Sequence, residues 1–204
     1  MRPPAGLLPP GFEGTSTRIK HLSQAAEGFQ VWSSTLYIAA GVLGAALACG
    51  MPIALGRRGR IATRVVVLLV SYMVVVTGLV STWYHRIGTD DACPHDTFKG
   101  VQRVDVGCAS ATAVAGICVV VPLTIVGLVR SPAAGPAVML VMSAGMGAAA
   151  TVLHMRLHKH NARELRPCVY DAQHGSWHVL SAMSAALGFV AAFVALMPAR
   201  AMPL

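Results

Sequence analysis

The stretch DAQHGSWHVLSAMSAALGFVAAFVALM, Asp171 to Met197, decides the fold. After Asp171 it holds no Asp, Glu, Lys or Arg, and from Val179 onward every residue is apolar or small. At 1.5 Å per residue a helix of this length crosses the ~30 Å hydrocarbon core of a bilayer. Yet it opens with two imidazoles, His174 and His178, spaced so that both fall on one helix face.

Working outward, the rest of the chain repeats the pattern. The 204 residues are 55% hydrophobic and 12% charged, about half the charge of an average soluble domain. Four more apolar runs read as spans, at about 34–55, 65–85, 104–129 and 136–154, with the fifth at about 174–197. Runs this long and continuous mean helices, because only helices and closed barrels satisfy their backbone in lipid. The expectation is an all-α polytopic bundle of about five spans, one domain over 34–198. It follows a leader (1–33) and precedes a short tail (199–204). Within the leader, Ile19, Leu22, Ala26 and Phe29 recur at helical spacing, which fits an amphipathic surface helix over Thr15–Val31. The start MRPPAGLLPPGFEG has no apolar core and four prolines, so no cleaved signal is expected.

The net charge is +8, and its basic residues lie in short loops between spans. There they set topology and meet lipid headgroups. No basic stripe interleaved with aromatics occurs, so nucleic acid is excluded as a partner and membrane lipids are expected. Gly41, Gly44, Ala45, Ala46 and Ala48 give the first span a small-residue surface for close helix packing, within the chain or in a homo-oligomer. Cys49, Cys108 and Cys118 fall inside spans as packing residues. Cys93 and Cys168 lie in polar loops, where they form either one disulfide or two free thiols.

Ionisable residues inside spans are costly and usually functional. They gather here at three helix ends: Ser81 and His85 in STWYH, Asp105 in VDVGCAS, His174 and His178 in HGSWH. The second span ends on the N-terminal side of the membrane, where the third and fifth begin. All five residues therefore share one depth. His85, His174 and His178 supply three nitrogens, and three protein ligands plus an open position is the catalytic zinc pattern. Water on such a zinc ionises near pH ~7. Asp105 would hold or deprotonate that water. Ser81 would orient a ligand histidine or stabilise an oxyanion. Each residue also has a plainer role: interfacial histidines, Asp105 as an N-cap, Ser81 bonded to its own helix. His154, His158 and His160 form a rival cluster, but Arg156, Lys159 and Arg163 oppose a cation there, so a solvated headgroup-facing loop is expected.

Ser-x3-His, then Asp, then His-x3-His at these helix ends resembles the signature of the CREST superfamily. That group holds alkaline ceramidases, adiponectin and progestin receptors, and proteins acting on GPI anchors. STWYH with HGSWHVLSAMSAAL is most similar to the branch of myomaker and the GPI-anchor phospholipase A2 proteins. The likeness covers about 81–108 and 170–188. It implies zinc on His85, His174 and His178, with Asp105 and Ser81 as catalytic residues around it. It also implies hydrolysis of a lipid amide or ester, in a ceramide, phospholipid or GPI-anchor acyl chain. Its myomaker side implies a non-catalytic alternative: a structural zinc in a protein of membrane fusion or reception. The family has seven spans, so a loss of two after the third is implied, with its lipid cavity in doubt. A break of the 104–129 run near Pro122 is the other way to count. A third reading, haem between His85 and His178, would leave one histidine of the pair idle.

Ten Lys and Arg fall on the N-terminal side and six on the other, which by count puts the N-terminus in the cytosol. The densest cluster, 57–64, points the other way, and the resemblance implies an outward-facing site. The expected orientation is an outside or lumenal N-terminus, in the plasma membrane or an endomembrane.

Overall fold

The computed structural model describes residues 24–88, 95–130, 132–156 and 167–198. They form five helices: α1 (Gln24–Gly50), α2 (Arg57–Gly88), α3 (His95–Arg130), α4 (Ala134–Arg156) and α5 (Pro167–Leu196). No strand occurs among the described residues. Each helix carries a segment long and apolar enough to cross a bilayer. The fold is the all-α multi-pass bundle that the hydropathy pattern predicts.

The helices run past the apolar segments that announced them. α1 starts at Gln24, so residues 24–31 are its first turns, continuous with the span. The rest of the proposed amphipathic stretch, 15–23, lies outside the described residues. α3 passes through Pro122 without ending. In lipid the backbone has no outside partner to turn to, so the helix persists through a proline that would break it in water. Cys93 and the side chain of Cys168 also lie outside the described residues. Cys49 and Cys118 face outward rather than packing, and Cys108 is half-buried.

Packing is uneven. α1 lies against α2 and α5, and α5 also touches α3 and α4, whereas α3 and α4 scarcely meet. The hydrophobic core is built chiefly from α1, α2 and α5, with Tyr37, Val67, Val70, Val74, Phe189 and Phe193 at its centre. Small residues bring these helices together. A Cβ on Gly41 would stand 2.6 Å from the Ser71 carbonyl oxygen. Gly41, Gly44 and Ala48 thus spend the small-residue face on contacts within the chain, while Ala46 lies outside it. α4 is fastened to α5 by two reciprocal bonds, Ser143 Oγ to the Ser184 carbonyl and Ser184 Oγ to the Ser143 carbonyl, each 2.7 Å.

The gap between α3 and α4 is a cavity of about 690 Å³ floored by α5. Its wall is mostly Val, Ile, Leu, Ala and Gly, and Tyr37, His154 and Trp177 are among its few large polar or aromatic residues.

Candidate metal centre

The buried face of α2 is a stripe at helical spacing: Val67, Val70, Val74, Thr77, Ser81, His85. It changes from aliphatic to polar as it approaches the end where α1, α3 and α5 begin. α5 answers with His174 and His178, and α3 with Asp105. His85, His174 and His178 are 2%, 7% and 1% exposed, and Asp105 and Ser81 are 4% and 2%. Tertiary packing therefore draws all five expected residues into the interior at one end of the bundle.

The three imidazoles converge. Their ring centroids lie 4.9 Å (His85–His174), 5.1 Å (His85–His178) and 4.6 Å (His174–His178) apart. One nitrogen from each falls within 4.8 Å of the others. Two Zn–N bonds of about 2.0–2.1 Å at a tetrahedral angle set their nitrogens about 3.4 Å apart, so a metal would draw the rings together by up to about an ångström. The Nε2 atom of His178 is buried and makes no hydrogen bond, which is the condition of a ligand atom facing an ion. Three neutral nitrogens and no thiolate suit zinc or another imidazole-loving divalent metal. The donor set fits.

The other ring nitrogen of His178 is accounted for. Its Nδ1 lies 3.1 Å from Ser33 Oγ and 3.2 Å from Ser34 Oγ. Ser34 Oγ donates to Ser81 Oγ at 3.2 Å, and Ser81 is bonded to the Asp105 carboxylate. Ser33 Oγ and Ser34 Oγ also reach the Gln30 carbonyl, at 3.0 Å and 2.8 Å, so the single Ser34 proton is shared between that carbonyl and Ser81. With the proton assigned to Nδ1, the ring donates to Ser34, Ser34 turns to Ser81 or to the Gln30 carbonyl, and Ser81 donates to a carboxylate that can only accept. That direction leaves Nε2 with its lone pair aimed at the three-histidine centre. It is a carboxylate–histidine relay stretched through two hydroxyls.

Sequence reasoning missed α1 altogether. It treated the layer as the property of three segments, whereas Gln30, Ser33 and Ser34 are fully buried within it. The signal was present in QVWSSTLY, since a span that begins on the N-terminal side must place its first polar turns at the same depth. Ser81 therefore reaches His178 through Ser34, and Asp105 is bonded to Ser81.

Aromatic rings close the site. Tyr84 lies 5.0 Å from His85 and 5.3 Å from Phe98 by ring centroids. Trp177 lies 5.3 Å from His174 and 4.9 Å from His178 on one side, and 4.6 Å from His154 on the other. Tyr37 meets His178 edge-on at 5.8 Å and is hydrogen-bonded to Ser181. Tyr37 and Trp177 line the large cavity, whereas His85, His174, His178, Ser81 and Asp105 do not. These two rings are the partition between cavity and centre. His154 departs from the solvated loop expected for it: it is half-buried at the end of α4 and faces the cavity. His158 and His160 lie outside the described residues. Gly175, between the two α5 histidines, gives its space to the Phe29 ring of α1, which a side chain there would strike.

No protein-family model matches the chain, and neither a curated protein nor a solved structure does.

Proposed function

We propose that this membrane protein holds zinc on His85, His174 and His178 and hydrolyses a lipid amide or ester at one membrane face. The observation that carries the reading is the convergence of three buried imidazoles, one nitrogen of each within 4.8 Å of the others. The reading agrees with the CREST-like residues quoted above, which in this proposal mark a shortened member of that superfamily. Zinc in such a site supplies a Lewis acid and a water that ionises near pH ~7. The chain's own groups do the rest. Asp105 accepts a proton within a site closed to bulk water, Ser81 orients that carboxylate, and Ser33 and Ser34 fix the His178 ring. The 690 Å³ cavity beside them has the size and apolar wall to take an acyl chain.

One feature favours a second reading, a structural zinc without turnover. The centre does not open into the cavity, because Tyr37 and Trp177 stand between them. Substrate would need one of these rings to swing aside.

The test is elemental analysis of detergent-purified protein beside a His174→Ala/His178→Ala variant. About one zinc per chain, absent from the variant, is expected; a wild type without metal overturns both readings. Release of fatty acid from ceramide, phosphatidylcholine or a GPI lipid by the zinc-loaded protein then separates them. Full metal with no turnover on any of the three selects the structural reading.

A further inference from the structure

The two ends of the bundle differ in charge more than any count of basic residues reveals. By chain order all eight Asp and Glu residues fall at the end that holds the histidines, together with ten of the 16 Lys and Arg. The other end has six arginines and no Asp or Glu. Of the net +8, the histidine end therefore carries +2 and the opposite end +6.

The structure gathers five of those arginines about one turn. Met51–Gly56 links α1 to α2, and its carbonyls are held from two sides. Arg64 Nη2 donates to the Met51 carbonyl at 3.4 Å, and Arg130 Nη1 to the Ala54 carbonyl at 3.2 Å. The Ala54 N–H in turn donates to the Leu196 carbonyl at 2.7 Å, which fixes the turn to the end of α5. Arg57, Arg58 and Arg60 follow at once on the first turn of α2, all exposed. Arg130 also lines a recess of about 220 Å³ between this turn and the ends of α3 and α5. A guanidinium has five donors in a fork that matches phosphate, and one carbonyl uses only one of them. With no Asp or Glu at this end to pair with, the exposed guanidiniums of Arg57, Arg58, Arg60 and Arg130 keep donors for a phosphate.

We propose that this acid-free arginine face binds the phosphate headgroups of anionic phospholipids, with the Arg130 recess as its most enclosed position. The occupant is lipid and not soluble phosphate, because α2 and α3 are membrane-spanning and deliver these arginines to the interface. The proposal is independent of the metal reading. Where the cytoplasmic leaflet is the anionic one, it sets the histidine centre at the opposite surface.

The experiment uses the full chain in phosphatidylcholine vesicles with trace spin-labelled phosphatidylglycerol or phosphatidylcholine, reading the motionally restricted fraction of each. Wild type is expected to restrict phosphatidylglycerol in preference, the preference fading with added NaCl. An Arg57→Gln/Arg58→Gln/Arg60→Gln variant should lose about fivefold in relative association per arginine removed. Arg130→Gln should lose a further part. An Arg86→Gln/Lys99→Gln/Arg103→Gln variant, at the other end, should keep the preference. Equal restriction of the two lipids by wild type overturns the proposal. So does loss of preference in the histidine-end variant instead, or displacement by inorganic phosphate beyond that caused by NaCl of equal ionic strength.

Discussion

In the apolar 18-residue stretch of each span, 39%, 39% and 44% is buried in α1, α2 and α5, whereas only 17% is in α3 and in α4. The first group meets through glycines and core aromatics; α3 packs on α2 and α5 and α4 on α5, but the two scarcely touch each other and leave a cavity between them. All three histidines sit in the first group. A metal centre needs its ligands close together and shielded from water, and α2 and α5 bury all three at one end of the bundle. α3 contributes Asp105 from the border of the two regions, through Ser81 on α2. The contrast teaches that this chain divides its labour: a buried trio encloses the histidines, and an outer pair, set apart from each other, leaves space open beside them.

The largest expected effect tests the buried trio directly. Phe193→Ala removes a ring that is 1% exposed at its centre and should cost about 3 kcal/mol of unfolding stability in detergent. Val141→Ala, 71% exposed on α4, should leave the midpoint where it is. Equal losses would erase the distinction between the regions.

A glycine pair refines it. Gly41→Ala drives a Cβ to 2.6 Å from a carbonyl oxygen, whereas Gly145→Ala on α4 meets nothing within 4 Å. The first should destabilise by about 1–3 kcal/mol. The second should be neutral or gain up to ~1 kcal/mol from helix propensity. Thermal unfolding of both variants reads the sign, and a destabilising Gly145→Ala would mean that α4 has a partner on its outer face.

At the centre itself, Ser33→Ala/Ser34→Ala removes both hydroxyls from His178 Nδ1 without touching a ligand atom. Zinc affinity by chelator competition should fall about 10–100-fold, with the fold intact by circular dichroism. The Ser33→Thr/Ser34→Thr variant should restore part of it. Unchanged affinity would show that α1 merely packs against the site. The smallest effect falls on the partition. Trp177→Phe keeps an aromatic wall and should change metal content little, while quickening zinc loss to excess chelator by opening a path from the cavity.

Much of this was legible in one dimension. Hydropathy fixed the span number because lipid admits few backbone solutions, and helical spacing put His174 beside His178 because four residues make one turn. Chain order alone gathered Ser81, His85, Asp105, His174 and His178 at one end. What remained hidden was lateral. Ser33 and Ser34 look like ordinary interfacial residues until α1 is seen lying against α5. His154 looks like part of a basic loop until α4 is seen to carry it to Trp177.

Local hydrophobicity and a fixed rise per residue were enough to set the helices, their number and the depth of each polar group. Only the tertiary structure decided which helices are neighbours, that three imidazoles meet, that two serines link one of them to Asp105, and that a ring-walled cavity lies alongside. Those outcomes depend on which small residues let two helices approach, and that choice is made between segments far apart in the chain.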